Sequence, residues 1–366
     1  MKILLVGVGA AGNKAVTDAI DRGIVELEDT IIINSTTKDF PKDYLGKTIV
    51  LTDTNTGAGK ERQIAKEYTK NAMKNGKFNI ENINQYTTVV LATSVEGGTG
   101  SGSTPIIASY FNKVCTRNVH IIAFTGFEED VRGLSNTVEF FKEIDPAIIV
   151  QTISNKSYLA QAGGNKLKAE ELANKEMSTR ISVLTGQDFI EGSQNIDDTD
   201  ILKLSNTAGY MTVEKKIFNK SLETRDDFEK IIKNMIYNSA SIKSEDPAAA
   251  RLGVVLNISP SSEDAIDYTF NSLKKAYGNP FEFFTQVQWD EKQEYIAYIA
   301  SGMRMPIDEV CAVYNRYIEQ TERINKNGDG FYATMEQFTI LDEDAQFNMI
   351  EKAKKGISLD DFLGNN

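Results

Sequence analysis

The sequence predicts an α/β fold: a domain on a parallel sheet, a long central helix, a smaller α+β second domain and a C-terminal helical extension. Three observations carry this expectation. Short, continuously apolar runs alternate with helical stretches through the first half; glycine-rich turns close the first and fourth runs; the pattern changes after about residue 209. Strands that are apolar along their whole length are buried on both faces, and the helices between them supply the cover.

The expected strands of the first domain are 2–8, 30–35, 48–52, 87–93, 119–125 and 147–153, with helices at 13–22, 59–75, 102–116 and 135–144. The central helix runs over about 168–183 and leads to an acidic loop. The second domain reads as helix 225–240, strand 252–259, helix 264–277 and strands 283–289 and 294–301. Thr224 ahead of Phe228 is read as helix capping. A helix at 308–324, a Gly/Asn turn at 327–330 and a mixed-charge tail follow. The expected divisions are 1–167, 168–208, 209–305 and 306–366.

Composition excludes several functions. The 366 residues carry a net charge of −12, which disfavours direct binding to nucleic acid, where Lys and Arg must neutralise phosphates. A single histidine, His120, lies in an apolar run; it argues against His-rich metal centres and Ser-His-Asp catalysis. Cys115 and Cys311 are too far apart in the chain to suggest a disulfide framework or metal-site spacing. No apolar run approaches the roughly 18 residues of a membrane span. Gly7 interrupts the apolar start, so a buried strand is expected there, not a leader. A reduced, cytoplasmic protein without membrane contact is expected.

The first strand ends in Gly7-Val8-Gly9-Ala10-Ala11-Gly12-Asn13. Glycines let the backbone approach an anion, and the helix that follows offers free N–H groups. By itself this G-x-G-x-x-G fits a dinucleotide, another nucleotide or a tight turn without ligand. The fourth strand runs into Glu96-Gly97-Gly98-Thr99-Gly100-Ser101-Gly102-Ser103, a second nest of donors opening a second helix. Two such loops on one sheet suit an elongated polyphosphate. There is no G-x-x-x-x-G-K-[ST], so a P-loop is excluded.

The second loop resembles the G-G-x-T-G-[ST]-G signature of the tubulin/FtsZ superfamily, with one residue fewer before Thr99. The first loop resembles the opening loop of the FtsZ branch. The resemblance covers roughly residues 1–305 and implies a GTPase that binds GTP or GDP, with Mg²⁺ held through the nucleotide and not by direct protein ligation. It implies nucleotide contacts at Gly9, Ala10, Ala11, Gly12 and Asn13, and at Gly97, Gly98, Thr99, Gly100 and Ser101. Asn34 and Thr36 correspond to ribose and metal-side contacts, and Gly57 to a glycine loop near the γ-phosphate. Glu128 and Arg132 correspond to a sugar-contacting loop and Asn174 to the guanine-reading position; Asn155 joins the nucleotide set. Two departures stand out. Ala10-Ala11 replace glycines, and Glu96 adds a carboxylate beside the signature loop, where it should repel a polyphosphate unless it faces away.

Asn195-Ile196-Asp197-Asp198-Thr199-Asp200, followed by Gly209-Tyr210, resembles the catalytic loop of FtsZ-like proteins. The resemblance makes Asp197 and Asp200 the catalytic residues, projecting into the nucleotide pocket of the next subunit. From the residues alone, Asp197 is a helix N-cap, with Asp198 and Asp200 in the first turn. A carboxylate can hold both roles. The implied assembly is a head-to-tail filament of this chain with itself. The C-terminal helix resembles TubZ, the plasmid and phage partition tubulin, which favours DNA partition over division; the tail around 351–363 reads equally as a segment that docks on the neighbouring subunit or on a DNA-binding adaptor, and as a frayed terminus. An NAD-dependent oxidoreductase using the first loop is the alternative from another class; it lacks an acid closing the second strand, where Asn34-Ser35-Thr36-Thr37 stand and Asp39 comes late. A non-catalytic nucleotide-binding adaptor is the third.

Overall fold

The computed structural model describes residues 1–187, 196–218, 224–243, 247–259, 263, 265–289 and 293–326. Asn195 and the tail after 326 lie outside the described residues, as do the calls made on them. The first part of the chain runs β1 (Ile3–Val8), α1 (Gly9–Asp21), β2 (Thr30–Asn34), β3 (Lys47–Val50), α2 (Arg62–Lys74), β4 (Thr88–Ser94), α3 (Gly98–Ser109), β5 (Asn118–Thr125) and α4 (Val131–Lys142). There follow β6 (Ile149–Ser154), α5 (Lys166–Thr185), α6 (Asp198–Ser205), β7 (Gly209–Ile217), α7 (Arg225–Tyr237) and β8 (Arg251–Asn257). The last described elements are α8 (Ile266–Ala276), β9 (Glu282–Gln288), β10 (Tyr295–Met303) and α9 (Ile307–Lys326).

The chain forms two compact units. The glycine-loop unit holds Ile3–Ile148 and, among the described residues of the C-terminal part, 307–326. Its strands run in the order β3-β2-β1-β4-β5, with every described pairing parallel. Residues of β1, such as Leu5, Val6 and Val8, are fully buried, as are Ile32, Ile33, Leu91, Ala92, Ile121 and Ile122 on its neighbours. That is the burial the uninterrupted apolar runs require. His120 is buried on β5, and both cysteines are free. The C-terminal helix α9 packs on α4 through Leu134, Val138, Val313 and Tyr317. Burying each such side chain contributes about 1.5–3 kcal/mol.

The second unit spans Met1–Lys2 and Ile149–Pro306. Its strand order is β6-β7-β10-β8-β9; β10 is antiparallel to both β7 and β8, while β6–β7 and β8–β9 are parallel. Ile149, Val183, Leu184, Ile201, Leu204, Met211, Val213 and Val255 form its core. Strand β7 falls where no strand was expected.

Inside this unit, α5 carries a fully buried Arg180. Its guanidinium donates to Glu176 (2.9 Å), to Glu214 on β7 (3.2 Å), to the Thr152 carbonyl of β6 (2.9 Å) and to Ser241 Oγ (3.0 Å). One cation thus ties one helix to two strands. Burial raises the Glu214 carboxyl to about 7, against the pull of Arg180 and with the help of neighbouring Glu176.

Candidate nucleotide site

The parallel sheet ends at the N-termini of α1 and α3, and both are built from glycine and small residues. Helix α1 begins directly on Gly9, whose φ of 77° suits glycine. A Cβ on Gly12 would stand 2.0 Å from the Ala92 carbonyl, so only glycine lets α1 close on β4. The two loops touch: a Cβ on Gly9 would lie 3.0 Å from the Gly100 nitrogen. Neither helix has a side-chain cap, whereas Asp130, Asn165, Asp197 and Thr224 cap α4, α5, α6 and α7. The first-turn N–H groups of α1 and α3 are therefore left for solvent or an anion.

Both N-termini open onto one cleft of about 320 Å³. The residues lining it include Gly9, Ala10, Ala11, Asn34, Gly57, Gly97, Gly98, Thr99 and Gly100 from the sequence-derived set. The methyls of Ala10 and Ala11 are exposed at its mouth, so they replace glycine without a clash. Asn34 is 2% exposed and Asn13 fully buried, and the side-chain amide nitrogens of both lack hydrogen-bond partners. The oxygen of Asn13 accepts from the Ile33 N–H (3.3 Å) and that of Asn34 from the Ser35 N–H (2.8 Å). Asn34 thus brings an unspent donor to the cleft wall. Gly12 and Asn13 stand behind the first loop, and Thr36 caps a short 3-10 turn by accepting from the Lys38 N–H (3.2 Å). Ser101 turns its hydroxyl onto the Gly97 carbonyl.

Other positions go elsewhere. Glu128 and Arg132 are not among the lining residues. Glu128 sits at φ 60° and pairs with Arg316 of α9 (2.9 Å); Arg132 pairs with Glu61 (2.8 Å). Asn155 and Asn174 belong to the second unit. There Asn174 is half-buried on α5, and Asn155 follows β6 with its Oδ1 buried and unpartnered. Glu96 faces away from the cleft: its carboxylate accepts from the Glu128 N–H (3.0 Å), and a Cβ on Gly126 would collide with it. Burial raises its carboxyl above the ordinary value.

Several residues with roles here were missed from sequence. Ser35 lines the cleft and shares a hydrogen bond with Thr99 (3.0 Å). Asn136 of α4, 3% exposed, donates to the Lys60 (3.1 Å) and Glu96 (3.0 Å) carbonyls, joining the 57–61 loop to the signature loop. Pro105 lies inside α3 and offers no N–H to the Ser101 carbonyl; Arg62 of α2 donates there instead (3.0 Å). Arg62 also pairs with Glu143 (2.5 Å). No local pattern announces these long-range pairings, although a lysine directly after Gly57-Ala58-Gly59 was a legible signal for Lys60.

In the second unit the acids stand at the start of α6. Asp197 accepts from the Asp200 N–H (2.9 Å), the capping arrangement read from the residues. Its neighbour Ile196 is buried and donates to Gln286 (3.0 Å), which fixes the turn. Asp197 and Asp198 are exposed; Asp200 lies 3.8 Å from Lys203.

A parallel α/β sheet with two uncapped glycine-rich helix starts on one cleft is an arrangement suited to cradling a polyphosphate. Residues 2–161 match the tubulin/FtsZ family GTPase domain. It is 26% identical over 215 residues to cell division protein FtsZ 1 of Methanocaldococcus jannaschii, covering 57% of each chain. Among solved structures, the GTPγS-bound protofilament of CetZ2 from Haloferax volcanii superposes with a TM-score of 0.71 at 15% identity, covering 88% of this chain and all of that one. TubZ of Clostridium botulinum phage c-st superposes at 0.67 and 18%, covering 88% and 98%. These likenesses establish the fold. No helix among the described residues is long and apolar enough to cross a membrane.

Proposed function

We propose that this chain is a GTPase that polymerises head-to-tail and hydrolyses GTP where two copies meet. The observation that carries the reading is the cleft with two uncapped helix N-termini, whose donors suit a row of phosphates. Asn34, with its unspent amide, binds the sugar side together with Thr36. Among the described lining residues Asp39 is the only carboxylate, and no group of three potential metal ligands occurs among the described residues. Mg²⁺ would therefore be held by the phosphates, where it supplies charge neutralisation. The attacking water is oriented by Asp197 and Asp200 of an adjoining copy. Protofilament formation by the CetZ2 relative supports self-assembly.

Light scattering and phosphate release, followed together on addition of GTP, test this. Both should rise above a threshold protein concentration and stay flat with ATP. Dilute protein that releases phosphate at the same rate per molecule would refute it.

Within this function DNA partition is favoured over division. Helix α9 starts one residue after Pro306 and is folded against α4, as expected for a TubZ-like C-terminal extension. A DNA-binding adaptor captured by the tail follows from that reading. Labelled protein should form filaments that travel with a DNA focus; a stationary ring at the division plane would sink the partition role.

A further inference from the structure

Among the described residues that line the cleft there is one cation, Lys60. It follows Gly59 and holds a left-handed φ of 65°, a conformation that costs a lysine energy and collects at functional sites. Its main chain lies against the start of α3: a Cβ on Gly98 would stand 2.7 Å from Lys60 Cα. Lys60 therefore borders the N–H groups that phosphates would meet. Its ammonium is 2.8 Å from Asp130, a pair whose side chains are 56% and 46% exposed. Asp130 is itself held in place, because its other oxygen caps α4 by accepting from the Gly133 N–H (2.7 Å). The hydrogen bond from Lys60, ahead of other causes, keeps the Asp130 carboxyl below its ordinary range. Next to it, Glu61 and Arg132 (2.8 Å) form a second clasp between the same two segments.

An exposed ion pair of this kind is weak. A terminal phosphate carries more charge than a carboxylate and would sit in a cleft that excludes more water, so it competes well for the same ammonium. We propose that Lys60 distinguishes a nucleoside triphosphate from a diphosphate, its ammonium leaving Asp130 for the terminal phosphate. The inference rests on the cleft being the nucleotide site. A diphosphate is satisfied by the main-chain donors of α1 and α3 and leaves the Lys60–Asp130 pair closed. The third phosphoryl group adds charge that calls for a further cation, and Lys60 supplies it. Asp130 is then the competitor that sets the discrimination, and the Glu61–Arg132 clasp keeps the backbone fixed while the side chain changes partner.

The test is titration of the full chain, below its assembly threshold, with GTPγS and with GDP. Lys60→Gln should weaken GTPγS about tenfold, the worth of one charge-assisted hydrogen bond, and leave GDP within about twofold. Asp130→Asn keeps an oxygen to cap α4 but removes the competing charge, so it should tighten GTPγS severalfold without changing GDP. A lysine that merely braces the fold predicts the reverse for Asp130→Asn: loss of both nucleotides, or no change. Equal loss of both nucleotides in Lys60→Gln overturns the proposal. If wild-type protein binds neither nucleotide, the reading of the cleft fails; if it binds both and the ratio survives both substitutions, only the role of Lys60 falls.

Discussion

Replacing Asp200 by alanine should leave a protein that binds GTP and assembles but turns over at least about 100-fold more slowly, the usual worth of a positioned acid–base group. The fold should tolerate the change. Asp200 contributes its main-chain N–H to the Asp197 cap, which alanine retains, and its side chain lies 3.8 Å from Lys203, a contact worth little near the surface. Filaments that cannot hydrolyse should also outlast those of the wild type. Asp197 needs a different substitution, because alanine there would remove the cap and cost about 1 kcal/mol of helix stability. Asparagine caps equally well, so Asp197→Asn removes the charge alone. Phosphate release per assembled subunit is the measurement. Full turnover by Asp200→Ala under polymerising conditions would remove the acidic helix from the chemistry.

Loss of Arg180 should be the most damaging single change to the second unit. Arg180→Met keeps much of the buried volume but strands Glu176 and Glu214 and leaves the Thr152 carbonyl without its donor. Breaking a buried ion pair from one side costs about 3–5 kcal/mol, whereas replacing the whole group by apolar residues is often nearly neutral. Arg180→Met/Glu214→Leu should therefore recover part of the loss, as read by chemical denaturation.

The same cluster gives a pH signature. Glu214 has a folded value near 7 against an ordinary value of 4.5. The folded state thus holds the proton more tightly. The contribution is fully present below pH 4.5 and is lost as pH rises through 7. Between pH 8.5 and 5.5 it should add about 2 kcal/mol of stability at acidic pH. Glu214→Gln should flatten that difference; an unchanged pH profile in this variant would exclude Glu214 as its source.

The strands of the glycine-loop unit were legible because they are buried on both faces and therefore apolar throughout; β1, β2, β4 and β5 lie within a residue of expectation. Strand β7 was not, for the opposite reason. Glu214, Lys215 and Lys216 interrupt its apolar pattern, and Glu214 is largely enclosed there facing Arg180, which is distant in sequence. Helix starts were read late at the loops: α1 begins at Gly9 and not 13, α3 at Gly98 and not 102. Glycine and serine have poor helix propensity, so the sequence hides a first turn that tertiary packing holds in place. The glycine loops themselves were readable, since close backbone approach demands that residue type. The clasps at Lys60–Asp130, Arg132–Glu61 and Glu128–Arg316 were not, because nothing local records which charges the fold will bring together.

The proline in α3 has a mechanical corollary. A helix usually carries its own hydrogen bonds wherever it moves, but here one carbonyl borrows its donor from a separate segment, through Arg62 at the head of α2. The loop that delivers Arg62 is the one that ends in Lys60 and Glu61. Shifting that loop outward would strip a bond from the signature turn, so the two walls of the cleft travel as a coupled pair.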